Sequence, residues 1–215
     1  MLPSDLRHWS LSVQRTTVAM NAMQEEFLKL RNTQPQAVPH ALLQRLTQRL
    51  NEVKRNLENV SASARMIRRN MARYLVEEGD ARKDLEGARV DLDHRLNEMN
   101  KKIQNEMARR GCAQGPGQLA SFRQTVTSHV NSIASVSDDL HARVIAADKA
   151  GSVLLADSVQ RTNDIEIVQE ELQNAQSASE VDQALAHGEI AARAWEEYAH
   201  GARGSRDVVA APKPD

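Results

Sequence analysis

The chain is 215 residues long; 40% are apolar and 27% charged, but only 3% are aromatic, with nine glycines and six prolines. So little aromatic area argues against a thick globular core, and so few breakers beside so many charges read as long helices. The net charge of −1 hides an asymmetry. Residues 41–110 carry 16 Lys and Arg against 11 Asp and Glu, whereas 118–200 carry 5 against 13. A basic helix and an acidic one can neutralise each other by packing side by side. The acidic remainder disfavours nucleic acid as a partner.

The first helix is expected from about Ser4, as N-cap, to residue 31. Leu6, Trp9, Val13, Met20, Met23, Phe27 and Leu30 recur at intervals of three and four, with Thr16 filling the one gap. That is a heptad seam. Pro35 and Pro39 end it, because proline disfavours helix at itself and at the residue before.

The dominant element is expected over 41–110, which contains no proline. At 1.5 Å per residue it would be ~105 Å long. Its seam runs through Leu43, Leu46, Leu50, Val53, Leu57, Val60, Ala64, Ile67 and Met71. A second segment follows, with Leu85, Leu92, Leu96 and Ile103. These twelve large seam residues, Ala64 set aside, are the candidate partner interface, and Leu43 to Ile67 is the strongest zipper. Between the segments Glu78 occupies a seam position and Gly79 follows it, with the small Ala81 and Ala88 nearby. A charge withholds packing and a mid-helix glycine costs about 1 kcal/mol against alanine, so Glu78 and Gly79 form a candidate hinge or register-setting layer.

Gly111, Gly115, Pro116 and Gly117 make the clearest break in the chain. A third helix is expected over 118–175, with Leu119, Phe122, Val126, Val130, Ile133, Val136, Leu140, Val144 and Ala147 on its stripe, Gly151 as a dividing point, and Leu154, Ile165, Val168 and Leu172 beyond it. A short fourth helix is expected over 179–200, opened by Ser179 with Asp182 three residues on, and carrying Val181, Leu185, Ile190, Trp195 and Tyr198. Residues 201–215 lack periodicity and read as a flexible tail. Five segments therefore follow: 1–31, 41–110, 118–175, 179–200 and 201–215.

The fold class expected is all-α, an elongated helical bundle or coiled coil with one dominant helix. No glycine-rich phosphate loop, CxxC pair, HExxH or GxSxG motif occurs. Four histidines follow an acid by three residues (His8, His94, His141 and His200), a spacing used by di-metal bundles. By the seam registers His8, His94 and His141 should face outward, so no metal, cofactor, catalytic residue or small-molecule substrate is expected. Cys112 is the only cysteine, so no intrachain disulfide can form. Trp195 with Tyr198 is a docking patch or, more simply, part of the core.

Arg65, Arg68, Arg69 and Arg73 form a basic strip suited to an anionic surface. No run approaches the ~20 apolar residues that cross a bilayer, and Asp5 and Arg7 stand where a signal peptide would be apolar. The function expected is a non-enzymatic, intracellular scaffold or adaptor, cytoplasmic or nuclear, that assembles with other coiled-coil proteins. Hetero-oligomers are favoured over a homodimer; the alternative is a self-dimerising bundle that binds anionic membranes through the arginine strip.

Overall fold

A computed structural model of the chain describes residues 2–32, 40–110 and 116–210. Among them are four α-helices and no strand: α1 Leu2–Arg31, α2 His40–Arg110, α3 Pro116–Asn174 and α4 Ala178–Ala210. The all-α expectation holds, and α2 dominates as its unbroken periodicity requires. The helices form two compact units, one of Met1–Ala72 with Ala146–Lys213, the other Arg73–Ile145.

The first unit is a four-helix bundle in which every neighbour runs antiparallel. Asn70 on α2 donates to Asp5 on α1 at 2.6 Å. Gln169 on α3 donates to Asn51 on α2 at 2.6 Å, and Ser61 donates to Ser158 at 3.1 Å. His187 on α4 meets the Glu171 carboxylate of α3 at 2.7 Å. Arg31 on α1 meets Glu189 on α4 at 2.5 Å, closing the ring. The few residues that separate successive helices in the sequence favour this up-down order.

Its core is what the heptad seams predict, with one consequence for function. Leu6, Trp9, Met20, Met23, Phe27 and Leu30 of α1 are buried, and Thr16 fills the seam gap by donating to the Ser12 carbonyl at 2.9 Å. On α2, Leu46, Leu50, Val53, Leu57, Val60, Ile67 and Met71 are buried in the same cluster, and Leu43 packs against it half-buried. The expected proximal zipper is therefore not a partner surface. The chain's own helices already cover it, and each buried Leu or Val contributes about 1.5–3 kcal/mol to closing the bundle.

Four local expectations are corrected. Helix α1 begins at Leu2, so Ser4 lies within its first turn. Gly151 does not divide α3; it is buried on the seam, where a β-carbon would meet Ile67 of α2 at 3.8 Å, an ordinary contact. The cap of α4 is Ser177 with Glu180, two residues before the pair read from the sequence. The Ser177 hydroxyl accepts from the Glu180 N–H at 3.3 Å, while the Glu180 carboxylate accepts from the N–H groups of Gln176 at 2.6 Å and Ser177 at 3.1 Å. Those two backbone donors hold the Glu180 carboxyl below its ordinary range. Finally, α4 continues to Ala210, so the expected tail from Gly201 is helical that far, and 211–215 lie outside the described residues.

Trp195 and Tyr198 belong to the core and form no docking patch. Trp195 is fully buried and its indole N–H donates to Thr17 at 3.1 Å. The Tyr198 ring lies 5.0 Å from that of Trp195, its hydroxyl donates to the Leu154 carbonyl at 3.4 Å, and burial pushes its phenol pKa up. Ile190, expected on this seam, is exposed instead. The basic-to-acidic asymmetry is also used here: Lys54 meets Glu166 at 2.8 Å, and that carboxylate raises the lysine pKa.

Candidate helix-binding surface

The second unit is built differently. It holds only the later part of α2 and the earlier part of α3, packed antiparallel. Glu78 of α2 faces His141 of α3 at 2.6 Å, and Arg82 bonds Asp138 one turn along. Two helices alone enclose little: among the described apolar side chains of this hairpin only Leu96 and Val144 are buried. Leu85, Leu92 and Ile103, the distal part of the expected interface, are half-buried.

Helix α2 passes Glu78 and Gly79 without interruption. A β-carbon at Gly79 would meet nothing within 4 Å, so no close packing demands a glycine there. What the sequence marks at this point is a polar layer. The Glu78 side chain is 8% exposed and its Oε2 is bound by His141, while Oε1 is buried with no hydrogen-bond partner, 3.9 Å from Arg82 Nε. His141 is thus turned inward, contrary to the outward position inferred from its place beside Leu140. Proximity to Leu140 misled because the α2-facing line of α3 runs through Val130, Ser137 and Val144, and His141 borders that line.

Most of the apolar surface left uncovered lies on one side of the hairpin; Val76, Val90 and Ile145 are exposed apolar residues on the other. On α3, Phe122, Val126, His129, Ile133, Val136 and Leu140 recur at alternating intervals of four and three, offset from the α2-facing line. Phe122 is 53%, Ile133 54% and Val136 63% exposed. On α2, Tyr74, Ala81, Ala88 and Met99 are exposed beside the half-buried Leu85 and Leu92. Both rows are rotated in the same sense from their contact lines, and in an antiparallel pair this brings them out on the same side. The opposite side carries Glu86, Arg89, Asp93 and Asn97 of α2 with Gln124, Thr127, Asn131 and Asp138 of α3, all exposed. This hairpin is amphipathic as a layer.

The composition of α3 supports the same reading. From Pro116 to Ser137 its only charged residue is Arg123. Solvated helices normally carry many charges on their outer face, and Thr125, Thr127, Val126, Val130 and Ile133 are weak helix formers that depend on packing. Phe122, Ile133 and Val136 were visible in the sequence as stripe residues. Nothing in the sequence alone marks this stripe, and not the leucine-rich α2 seam, as the one left uncovered.

The remaining candidates are dispersed. Arg65, Arg68 and Arg69 are exposed and make no ion pair among the described residues, whereas Arg73 is held by Glu77 at 2.7 Å. Of the four acid–histidine pairs, His8 and His200 are exposed and His94 lies 3.4 Å from Glu98. No group of three metal-binding side chains comes together among the described residues. Cys112 lies outside the described residues, and no described helix is long and apolar enough to cross a membrane. Compared with protein-family models, curated proteins and solved structures, the chain matches none.

Proposed function

We propose that this protein is a non-enzymatic coiled-coil scaffold or adaptor subunit, working in the cytoplasm or nucleus, that assembles with other helical proteins in a cytoskeletal, trafficking or chromosome-associated complex. The observation that carries the reading is the uncovered apolar side of the 73–145 hairpin, with Phe122, Ile133 and Val136 more than half exposed. An apolar row at heptad spacing is the feature a partner helix recognises. The division of labour is physical: one unit spends its seams on its own four-helix core, and the other keeps a seam to offer.

The test is a paired comparison. Charged substitutions at the hairpin, Phe122→Glu with Ile133→Glu, should release bound proteins from the tagged chain while its helical circular dichroism is retained. Undiminished capture by that variant rules out this surface as the binding face. Leu50→Glu and Leu57→Glu should instead unfold the bundle, because those side chains are buried in its core.

A second reading has its own observation. Arg65, Arg68 and Arg69 are exposed cations without ion partners among the described residues, and such a strip suits an anionic bilayer. Replacing them and Arg73 by glutamine should abolish salt-sensitive flotation with phosphatidylserine vesicles. A wild-type chain that does not float retires the idea.

A further inference from the structure

We infer that the apolar side of the 73–145 hairpin takes a second copy of this chain, antiparallel to the first, so that two hairpins complete one four-helix bundle. This deepens the helix-binding reading above and rests on it. Three independent features of the hairpin point to its own copy as the occupant.

The first is charge order along α2. From Arg73 to Asp93 there are four bases and seven acids; from His94 to Arg110 there are five bases and two acids. A parallel copy would set acid beside acid and base beside base. An antiparallel copy sets the acidic half of one α2 against the basic half of the other. With the pairing centred near Arg89, Asp84 comes opposite Arg95 of the second copy and Glu77 opposite Lys101 and Lys102. Asp84, Arg95, Lys101 and Lys102 are all exposed. Such complementarity steers register and rejects the wrong orientation.

The second is the match of large to small side chains. Antiparallel seams pair one heptad position with the other. On α2 this sets Met99 against Ala81 and Leu92 against Ala88 of the second copy, a bulky residue against a small one, with Leu85 against the aliphatic stem of Arg95 between them. A compatible register is then available to α3. The hairpin's own cross-pairs, Glu78 with His141 and Arg82 with Asp138, fix the level of α3 against α2. Within a few residues this centres the α3 pairing near Asn131, where Phe122 meets Leu140, Val126 meets Val136 and His129 meets Ile133. The two pairings are thus compatible with one two-fold axis.

The third is that the face of α3 is almost free of charge, with Arg123 alone over Pro116–Ser137. A two-fold interface brings a patch against itself, so it tolerates like charge poorly and a neutral patch well. The resulting all-antiparallel bundle has the same architecture that the chain builds from its own four helices in its other unit.

The test uses the full chain with Cys112→Ser, carrying either Ala81→Cys or Met99→Cys. Light scattering of the Cys112→Ser chain should give twice its 23.9 kDa mass, and Phe122→Glu with Ile133→Glu should return it to the single-chain value with helical content kept. On oxidation, the mixture of the two cysteine chains should form a disulfide-linked pair containing one of each, while neither chain alone should link to itself. A single-chain mass for the parent, or self-linking of each single-cysteine chain, overturns the proposal. A monomeric parent whose Phe122→Glu, Ile133→Glu form still loses other helical proteins would remove the self-pairing and leave the broader reading standing. A dimer cross-linked as described that retains no other protein would do the reverse.

Discussion

Gly188 of α4 lies so close to Phe27 of α1 that a β-carbon at Gly188 would overlap Cε2 and Cζ of the ring. No side-chain atom fits there, and an aromatic ring fixed in a core cannot flex away as a lysine tip could. Gly188→Ala therefore opposes two effects. Helix propensity favours alanine by about 1 kcal/mol, while overpacking costs about 1–3 kcal/mol. The expected outcome is net destabilisation, read as a lower urea midpoint. Phe27→Leu in the same chain should restore part of the loss, which a purely backbone effect of Gly188 would not allow.

Gly79 provides the opposite sign. It is helical, and nothing lies within 4 Å of where its β-carbon would be. Gly79→Ala should stabilise α2 locally by about 1 kcal/mol, seen as slower amide exchange in residues 75–83. Unchanged or faster exchange would mean that the glycine relieves a strain absent from this conformation.

Glu78 and His141 test whether a polar layer sets register. Removing His141 by alanine leaves a carboxylate that is 8% exposed without its 2.6 Å partner. The expected cost is about 1–3 kcal/mol, the usual penalty for an orphaned buried polar group. Replacing both by leucine should cost little or stabilise the hairpin, since buried polar pairs are often no better than apolar ones. The loss should appear as specificity: with a continuous apolar seam the two helices can slip by a heptad. Disulfide trapping between cysteines at positions 82 and 138 should be efficient with Glu78 and His141 present and should fall in the double leucine form.

Much of this architecture was legible because period and breaker residues are local signals. The α1 seam, the α2 seam to Met71 and the break between α2 and α3 need only the spacing of apolar residues and the placement of proline and glycine. What covers a seam is not local. The stripe Leu46–Ile67 reads the same whether α1, α3 and α4 close over it or another protein does, so the sequence alone could not distinguish core from interface there. The same ambiguity hid Phe122 and Val136, whose stripe continues one that is buried beyond Val144. His141 was misplaced for a finer reason: a rotation of about 100° per residue puts neighbours of a seam residue on either flank, and only the partner helix decides which flank is inside. The Ser177–Glu180 cap was recoverable from its S-x-x-E spacing, but an adjacent Ser179–Asp182 pair offered an alternative two residues later.

Tyr198 gives the first unit a pH dependence whose sign follows from burial. Its phenol is pushed above its ordinary value because the charged form would be stranded among Trp195 and the α3 backbone. In the unfolded chain the phenol ionises near its usual pKa of about 10. Below that pH both states hold the proton and the contribution is constant. Above it the unfolded chain loses a proton that the folded chain keeps, so stability falls as pH rises, by up to about 1.4 kcal/mol per pH unit for one group. Tyr198→Phe should cost about 0.5–1.5 kcal/mol at neutral pH for the lost hydrogen bond, yet should unfold less steeply than wild type above about pH 10. Lysine titration in the same range is common to both proteins and cancels in the comparison. Parallel stability curves for the two above that pH would show that the hydroxyl is not buried in solution.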